Sequence, residues 1–237
     1  LKFKFRYIDK IIPEIEKSVE AHLGKSVHSA LEWLYAQVQK KIIPSIDELI
    51  ENYIQGWEKE FTPNMLIVNK QLTFRDYLSK GVEFLVSYYL QNKPFDENTL
   101  ELEKQINLTL DEEGKYRLTG FMDRLSYNLS TNEYEIHDYK TSNSPPPIEK
   151  LKKDRQLALY SLAIKELYGE YKEVKMVWHF LAVGKKFVHK KTNEELQTLK
   201  QEVITLIEKI EATTQFPPNK SPLCSWCEYK SICPAWK

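Results

Sequence analysis

Gly120-Phe121-Met122-Asp123-Arg124 and, fifteen residues after its acid, Asp138-Tyr139-Lys140 are the stretches that decide how this chain folds. Each closes a run of strand character, so each acid stands at a strand end. Side chains alternate along a strand. Tyr134, Ile136, Asp138 and Lys140 therefore share one face, and Glu135, His137 and Tyr139 the other. Two carboxylates on neighbouring strand ends can converge on one divalent cation, and oxygen ligands suit Mg²⁺ or Mn²⁺. Lys140, on the same face as Asp138, is placed to orient a metal-bound water or to stabilise developing negative charge. An isolated Asp-x-Lys reads first as an exposed ion pair worth at most ~1 kcal/mol. The matching position of Asp123, and the turn and helix that follow Lys140, favour the metal reading.

Outward from these two stretches, residues 100–110, 116–128 and 133–140 read as an antiparallel meander, with turns at Asp111-Glu112-Glu113-Gly114 and Ser130-Thr131-Asn132. Ser144-Pro145-Pro146-Pro147 breaks the run, and a long helix is expected over 148–167, ending near Gly169. Gln156 and Tyr160 lie one turn apart on it, hence on one face. Its run is apolar nearly all round, so the helix is expected to be buried. Gln156 and Tyr160 either reach the lysine or a substrate backbone at the strand ends, or form a satisfied polar patch against another helix. Lys150, Lys152, Lys153 and Arg155 in the first turns are candidate phosphate contacts, or simply a solvated face. A strand pair over 173–182 and 185–190, turning at Gly184, and a helix over 192–212 complete this part.

Residues 1–95 read as helical. Val27, Ala30, Leu31 and Leu34 repeat at helical spacing, Ser45 with Glu48 forms a capping box, and a third helix spans about 74–90. His28 lies beside the first stripe, where a histidine is more often structural than a ligand; Glu32, one turn on, either fixes its tautomer or is a surface charge. His22 falls outside the stripe, and His137 faces away from Asp138. Glu103, read as the start of its strand, could also approach a metal. Strands, a crossover helix and further strands suggest an α/β sheet with helices on its faces.

Lys plus Arg equals Asp plus Glu, 34 each, so any nucleic-acid affinity must come from a local groove rather than a global field. No apolar run of membrane-spanning length occurs. The three cysteines, Cys224, Cys227 and Cys233, crowd into the tail with C-x₂-C-x₅-C spacing. That clustering points to a reducing cytoplasm and a metal or iron–sulfur site rather than a disulfide framework.

Taken in order, these residues resemble the PD-(D/E)XK nuclease superfamily, specifically its RecB-like branch, which includes the RecB and AddB nuclease domains and the CRISPR-associated adaptation nucleases. Gly24-Lys25-Ser26-Val27-His28 is similar to the branch's helical histidine motif, Gly120 to Arg124 to its first acidic motif, Asp138-Tyr139-Lys140 to its (D/E)-x-K, and Gln156 to Tyr160 to its Q-x₃-Y helix. The resemblance implies one domain over 1–237 with a restriction-endonuclease-like central mixed sheet flanked by helices. It divides into a helical part (1–95), a catalytic sheet with helices (96–215) and a cysteine-cluster tail (216–237). It implies metal ligation by His28, Asp123, Asp138 and the Tyr139 carbonyl, with Lys140 assisting the attacking water and Gln156 and Tyr160 completing the catalytic set. It also implies that Cys224, Cys227 and Cys233 are the last three ligands of a [4Fe–4S] cluster. The fourth cysteine is expected upstream of Leu1, so that the cluster is absent or incomplete here and the tail mobile. The implied activity is a Mg²⁺- or Mn²⁺-dependent DNA exonuclease acting on single-stranded ends in repair, recombination or CRISPR adaptation, with a helicase or adaptation partner. The alternative is a non-catalytic DNA-binding or scaffold module that keeps the nuclease fold. A weaker third reading is a zinc-stapled interaction domain.

Overall fold

The computed structural model describes residues 1–13 and 17–236. Three helices open the fold, each started by a side chain that takes up an otherwise orphaned backbone N–H. In α1 (Val19–Gln39) Ser18 Oγ accepts from Ala21 N at 3.3 Å. In α2 (Ile46–Glu60) Ser45 and Glu48 form the expected capping box, and in α3 (Phe74–Asn92) Thr73 and Asp76 form a second. Their apolar faces meet around Leu31, Leu34, Tyr53 and Leu85, all fully buried. His22 is buried too, contrary to its place outside the apolar stripe: its Nε2 lies 3.1 Å from the Trp57 carbonyl and its ring packs on the Trp57 indole. Partner helices, which a single-helix pattern does not contain, widen the buried face.

The sheet runs in chain order: β1 (Thr99–Thr109), β2 (Arg117–Asn128), β3 (Glu133–Lys140), β4 (Glu173–Phe180) and β5 (Lys185–His189). Neighbours are antiparallel except β3 and β4, which are parallel and need a crossover. That crossover is two helices, α4 (Ile148–Lys152) and α5 (Gln156–Tyr168), rather than the single helix expected over 148–167. The Asp154 carboxylate accepts the Leu157 N–H at 3.1 Å and so starts a new helix after the break. A final helix, α6 (Asn193–Glu211), is capped by Thr192 with Glu195. The sheet separates two apolar clusters. Ile136, Leu157, Ala158, Trp178 and Leu199 pack on the α5–α6 side. Leu31, Tyr53, Leu85 and Tyr139 pack on the α1–α3 side. No helix among the described residues is long and apolar enough to cross a membrane.

The first residues, including a π-helical turn at Lys4–Ile8, pack on the cysteine tail. Lys2 Nζ bonds Glu228 at 2.6 Å, Phe3 stacks on Phe216, Phe5 tilts against Tyr229, and Tyr229 Oη donates to the Ile11 carbonyl at 3.0 Å. The two ends of the chain are thus joined through side chains.

Below the sheet lies a buried polar row. His137 Nδ1 and His179 Nε2 are 3.0 Å apart, beside the fully buried Arg124. Burial, then the Arg124 charge, pulls both imidazoles well below the usual value of 6.5, with Lys186 acting the same way. A depressed folded value means these rings are neutral in the fold and take up protons on unfolding. Their stability contribution is complete above about 6.5 and is lost as pH falls below it, at up to ~1.4 kcal/mol per pH unit for each ring. Denaturant titrations should therefore show less acid sensitivity between pH 7 and 5 for His179→Gln than for the parent chain. An identical slope in both would contradict this account.

Candidate metal centre and active site

The paired part of β2 and β3 ends at Arg124 opposite His137. Beyond that point the side chain of Asp123, not a backbone carbonyl, takes the Tyr139 N–H, with Oδ2 at 2.9 Å. The strands part at the acids, and the carboxylate bridges the gap. Helix α1 closes one side: His28 Nε2 lies 2.7 Å from the Tyr139 carbonyl and Nδ1 3.3 Å from Asp123 Oδ2. Since a carbonyl only accepts, Nε2 carries a hydrogen. Glu103 comes from β1. It is not the first residue of its strand, as the sequence suggested, but lies inside it. The register keeps step on both sides, Leu102 with Arg124 and Lys104 with Met122, so Glu103 stands opposite Asp123. Its φ of 43° is left-handed, a conformation that costs a non-glycine residue of order 1–3 kcal/mol. At this point alternation fails in both strands. Leu102 and Arg124 sit on the α1–α3 side, whereas Ile106 and Met122 pack in the α5–α6 cluster.

Asp138 and Lys140 do share a face, as expected from alternation. Lys140 Nζ hydrogen-bonds Asp138 Oδ1 at 2.9 Å. The same ammonium lies 2.7 Å from Oδ2, near enough for charge attraction but not oriented for a hydrogen bond. Oδ2 is therefore a buried acceptor with no hydrogen-bond partner among the described residues. Burial, only partly countered by Lys140 and reinforced by Asp123, pushes the Asp138 carboxyl up to about 6. Burial also raises Glu103, aided by the charges of Asp123 and Glu32. For His28, burial acts downward but is outweighed by Asp123, the Tyr139 carbonyl and Asp138, so its pKa rises.

Buried negative charge is concentrated at this point. His28, Glu103 and Asp123 each offer a ligand atom within 4.8 Å of the others, the sole such group among the described residues. One imidazole, two carboxylates and the Tyr139 carbonyl make a donor set suited to a divalent cation; Asp138 is not in that group, and both of its oxygens face Lys140. A metal would compete with the proton on His28, which ligates only when neutral. Glu32 is exposed and is not the ring's partner; Asp123 takes that place.

Tyr160 lies over β2 because residue 120 is glycine: a Cβ there would come within 2.5 Å of Tyr160 Oη. Gln156 Nε2 reaches that hydroxyl at 3.5 Å. Gln156 is exposed, not buried as the apolar run suggested: Leu157 and Ala158 in the same first turn of α5 are fully buried, so the helix is covered on one side here and Gln156 lies on the other. Lys150, Lys153 and Arg155 are exposed, and Lys152 is half-buried and paired with Glu149. The sulfurs of Cys224, Cys227 and Cys233, in turns packed against the N-terminal residues, do not gather into a ligand group with one another.

A family model described as the PD-(D/E)XK nuclease superfamily matches residues 1–234. A solved structure from Eubacterium rectale, named "Putative exonuclease", is similar at 15% identity and a TM-score of 0.53, over 95% of this chain and 79% of that one. This likeness is one of fold. The solved structure of SSO0001 is 16% identical over 82% of this chain and 98% of its own, at a TM-score of 0.39, too low to bear on the argument. No curated protein matches.

Proposed function

The chain belongs to the PD-(D/E)XK nuclease superfamily, and from that premise we propose that it is a Mg²⁺- or Mn²⁺-dependent DNA exonuclease of the RecB-like branch, acting on single-stranded ends. The observation that carries the metal-dependent reading is the convergence of His28, Glu103 and Asp123, each with a ligand atom within 4.8 Å of the others. His28, Asp123, Asp138 and the Tyr139 carbonyl would hold the cation, with Glu103 added from β1. The cation, once bound, supplies a charge that polarises a phosphoryl oxygen and acidifies a water. The chain does the rest. Lys140, an ammonium with donors only, orients the attacking water and offsets the negative charge that grows on the phosphate. Gln156 and Tyr160 face the substrate strand beside Gly120, and Lys150, Lys153 and Arg155 supply phosphate contacts at the start of the crossover. The cysteine tail is no part of this chemistry. One domain over 1–237, a cytoplasmic setting and a helicase or adaptation partner belong to the same reading.

The test is a single-stranded oligonucleotide labelled at one defined end, incubated with Mn²⁺ or with EDTA. Ladder-wise shortening from one end with Mn²⁺, and none with EDTA, is expected. Chelator-insensitive binding without cutting would replace the enzyme by a DNA-binding scaffold. Internal cuts on a circular substrate would replace the exonuclease by an endonuclease.

A further inference from the structure

We propose that Arg124 is a positioning residue for the cation, acting through the Tyr139 hydroxyl to fix the peptide that joins the two halves of the site. This rests on the metal-dependent reading above. The argument begins where the ladder ends. Past Arg124 and His137 no backbone pair among the described residues ties β2 to β3, yet the two proposed carboxylate ligands lie just there. Two side-chain contacts replace the ladder. Asp123 takes the Tyr139 N–H at 2.9 Å. Arg124 Nε donates to Tyr139 Oη at 3.0 Å. Arg124 and Tyr139 are the immediate chain neighbours of Asp123 and Asp138, so the second contact sets how far apart the two carboxylates stand.

The guanidinium has little freedom to shift. Nη1 bonds Glu97 Oε2 at 2.7 Å, Nη2 lies 2.9 Å from His137 Nδ1, and Cζ stands over the Tyr35 ring, 3.9 Å from the ring centroid. Arg124 is fully buried. Burying a cation is costly, and a site that needed only packing could be filled with an apolar side chain at no such cost. Tyr139 is held from the other side by Tyr88 Oη at 3.4 Å and by edge-on packing with Tyr88 and His28. Its carbonyl, the atom proposed to face the cation, cannot turn without moving that ring. Small displacements at a metal site change affinity strongly, because supporting contacts typically account for 10–100-fold of it.

The experiment uses Tyr139→Phe, which removes one oxygen and keeps the ring, with Mn²⁺ binding followed by calorimetry and cleavage followed over a Mn²⁺ titration. Val203→Ala, a core truncation in α6 remote from the strand ends, serves as a destabilised control. Tyr139→Phe should bind Mn²⁺ roughly tenfold more weakly and regain most of its cleavage rate at saturating metal, whereas the control binds Mn²⁺ like the parent. Arg124→Lys, which keeps the charge near Glu97 but loses the planar fork, should show the same weakening. If Tyr139→Phe binds Mn²⁺ as tightly as the parent and merely unfolds sooner, Arg124 is structural and the proposal is overturned. If the parent chain itself binds no Mn²⁺, the metal-dependent reading fails first.

Discussion

Asp138→Asn should abolish cleavage and yet make the metal-free protein more stable. The loss of activity follows from the proposed role: without the carboxylate the cation has neither that ligand nor its charge, and a fall of at least ~10³ in rate is expected. The gain in stability follows from burial. In the fold the Asp138 carboxyl titrates at about 6, against 3.8 in a solvated chain. An acid whose folded pKa is raised favours the fold while protonated. That contribution is present below the unfolded value and lost as pH rises through about 6. At pH 7.5 the ionised, buried group is therefore a cost, which asparagine avoids. The raised value already includes the attraction to Lys140, and a gain on the order of 1–2 kcal/mol is expected. Denaturation in EDTA at pH 7.5 measures it, and the difference between the two proteins should vanish near pH 4. Lys140→Ala should be equally inactive but less stable, because it strands the carboxylate. An Asn variant that cleaves normally would sink the assignment of Asp138; one that is inactive but less stable would sink the account of its burial.

Two glycines on adjacent helices should respond to alanine with opposite signs. In α3, a Cβ on Gly81 would lie 1.9 Å from Tyr53 Oη and 2.3 Å from its Cζ. Tyr53 is fully buried, its hydroxyl donating to the Leu78 carbonyl at 3.3 Å, so the ring has no free space to enter and α2 must move from α3. Overpacking of this kind costs up to ~3 kcal/mol. In α2, a Cβ on the exposed Gly56 would meet nothing within 4 Å. There alanine should only restrict the unfolded chain and add up to ~1 kcal/mol. Thermal unfolding of the two variants decides the matter. Tyr53→Leu in the Gly81→Ala background should recover part of the loss, a non-additivity that shows the ring and the added methyl compete for one space.

Much of this was legible in the residues. Hydrophobic spacing marked α1, α3 and α6, and the Ser45–Glu48 capping box marked α2, because those signals are local. Alternation along β3 put Asp138 and Lys140 on one face and His137 and Tyr139 on the other, and the structure has them so. The break between α4 and α5 was missed because Asp154 caps Leu157 from within a run that reads as continuous helix. A polar residue three positions before the apolar restart was the available signal.

The sequence by itself determined the sheet order of the meander, the helices and the residue types at the strand ends, since each depends on neighbours a few positions away. Only the tertiary structure decided what those ends do. Glu103 meets Asp123 because β1 takes a left-handed step that no pattern announces. His28 reaches the Tyr139 carbonyl across 111 positions of chain. Burial, a property of the whole fold, turns Asp138 from one half of an ordinary ion pair into a buried acid whose carboxyl is pushed up to about 6. Spacing can name candidate ligands, but their convergence and their desolvation arise from contacts between distant segments, and those exist only once the chain is packed.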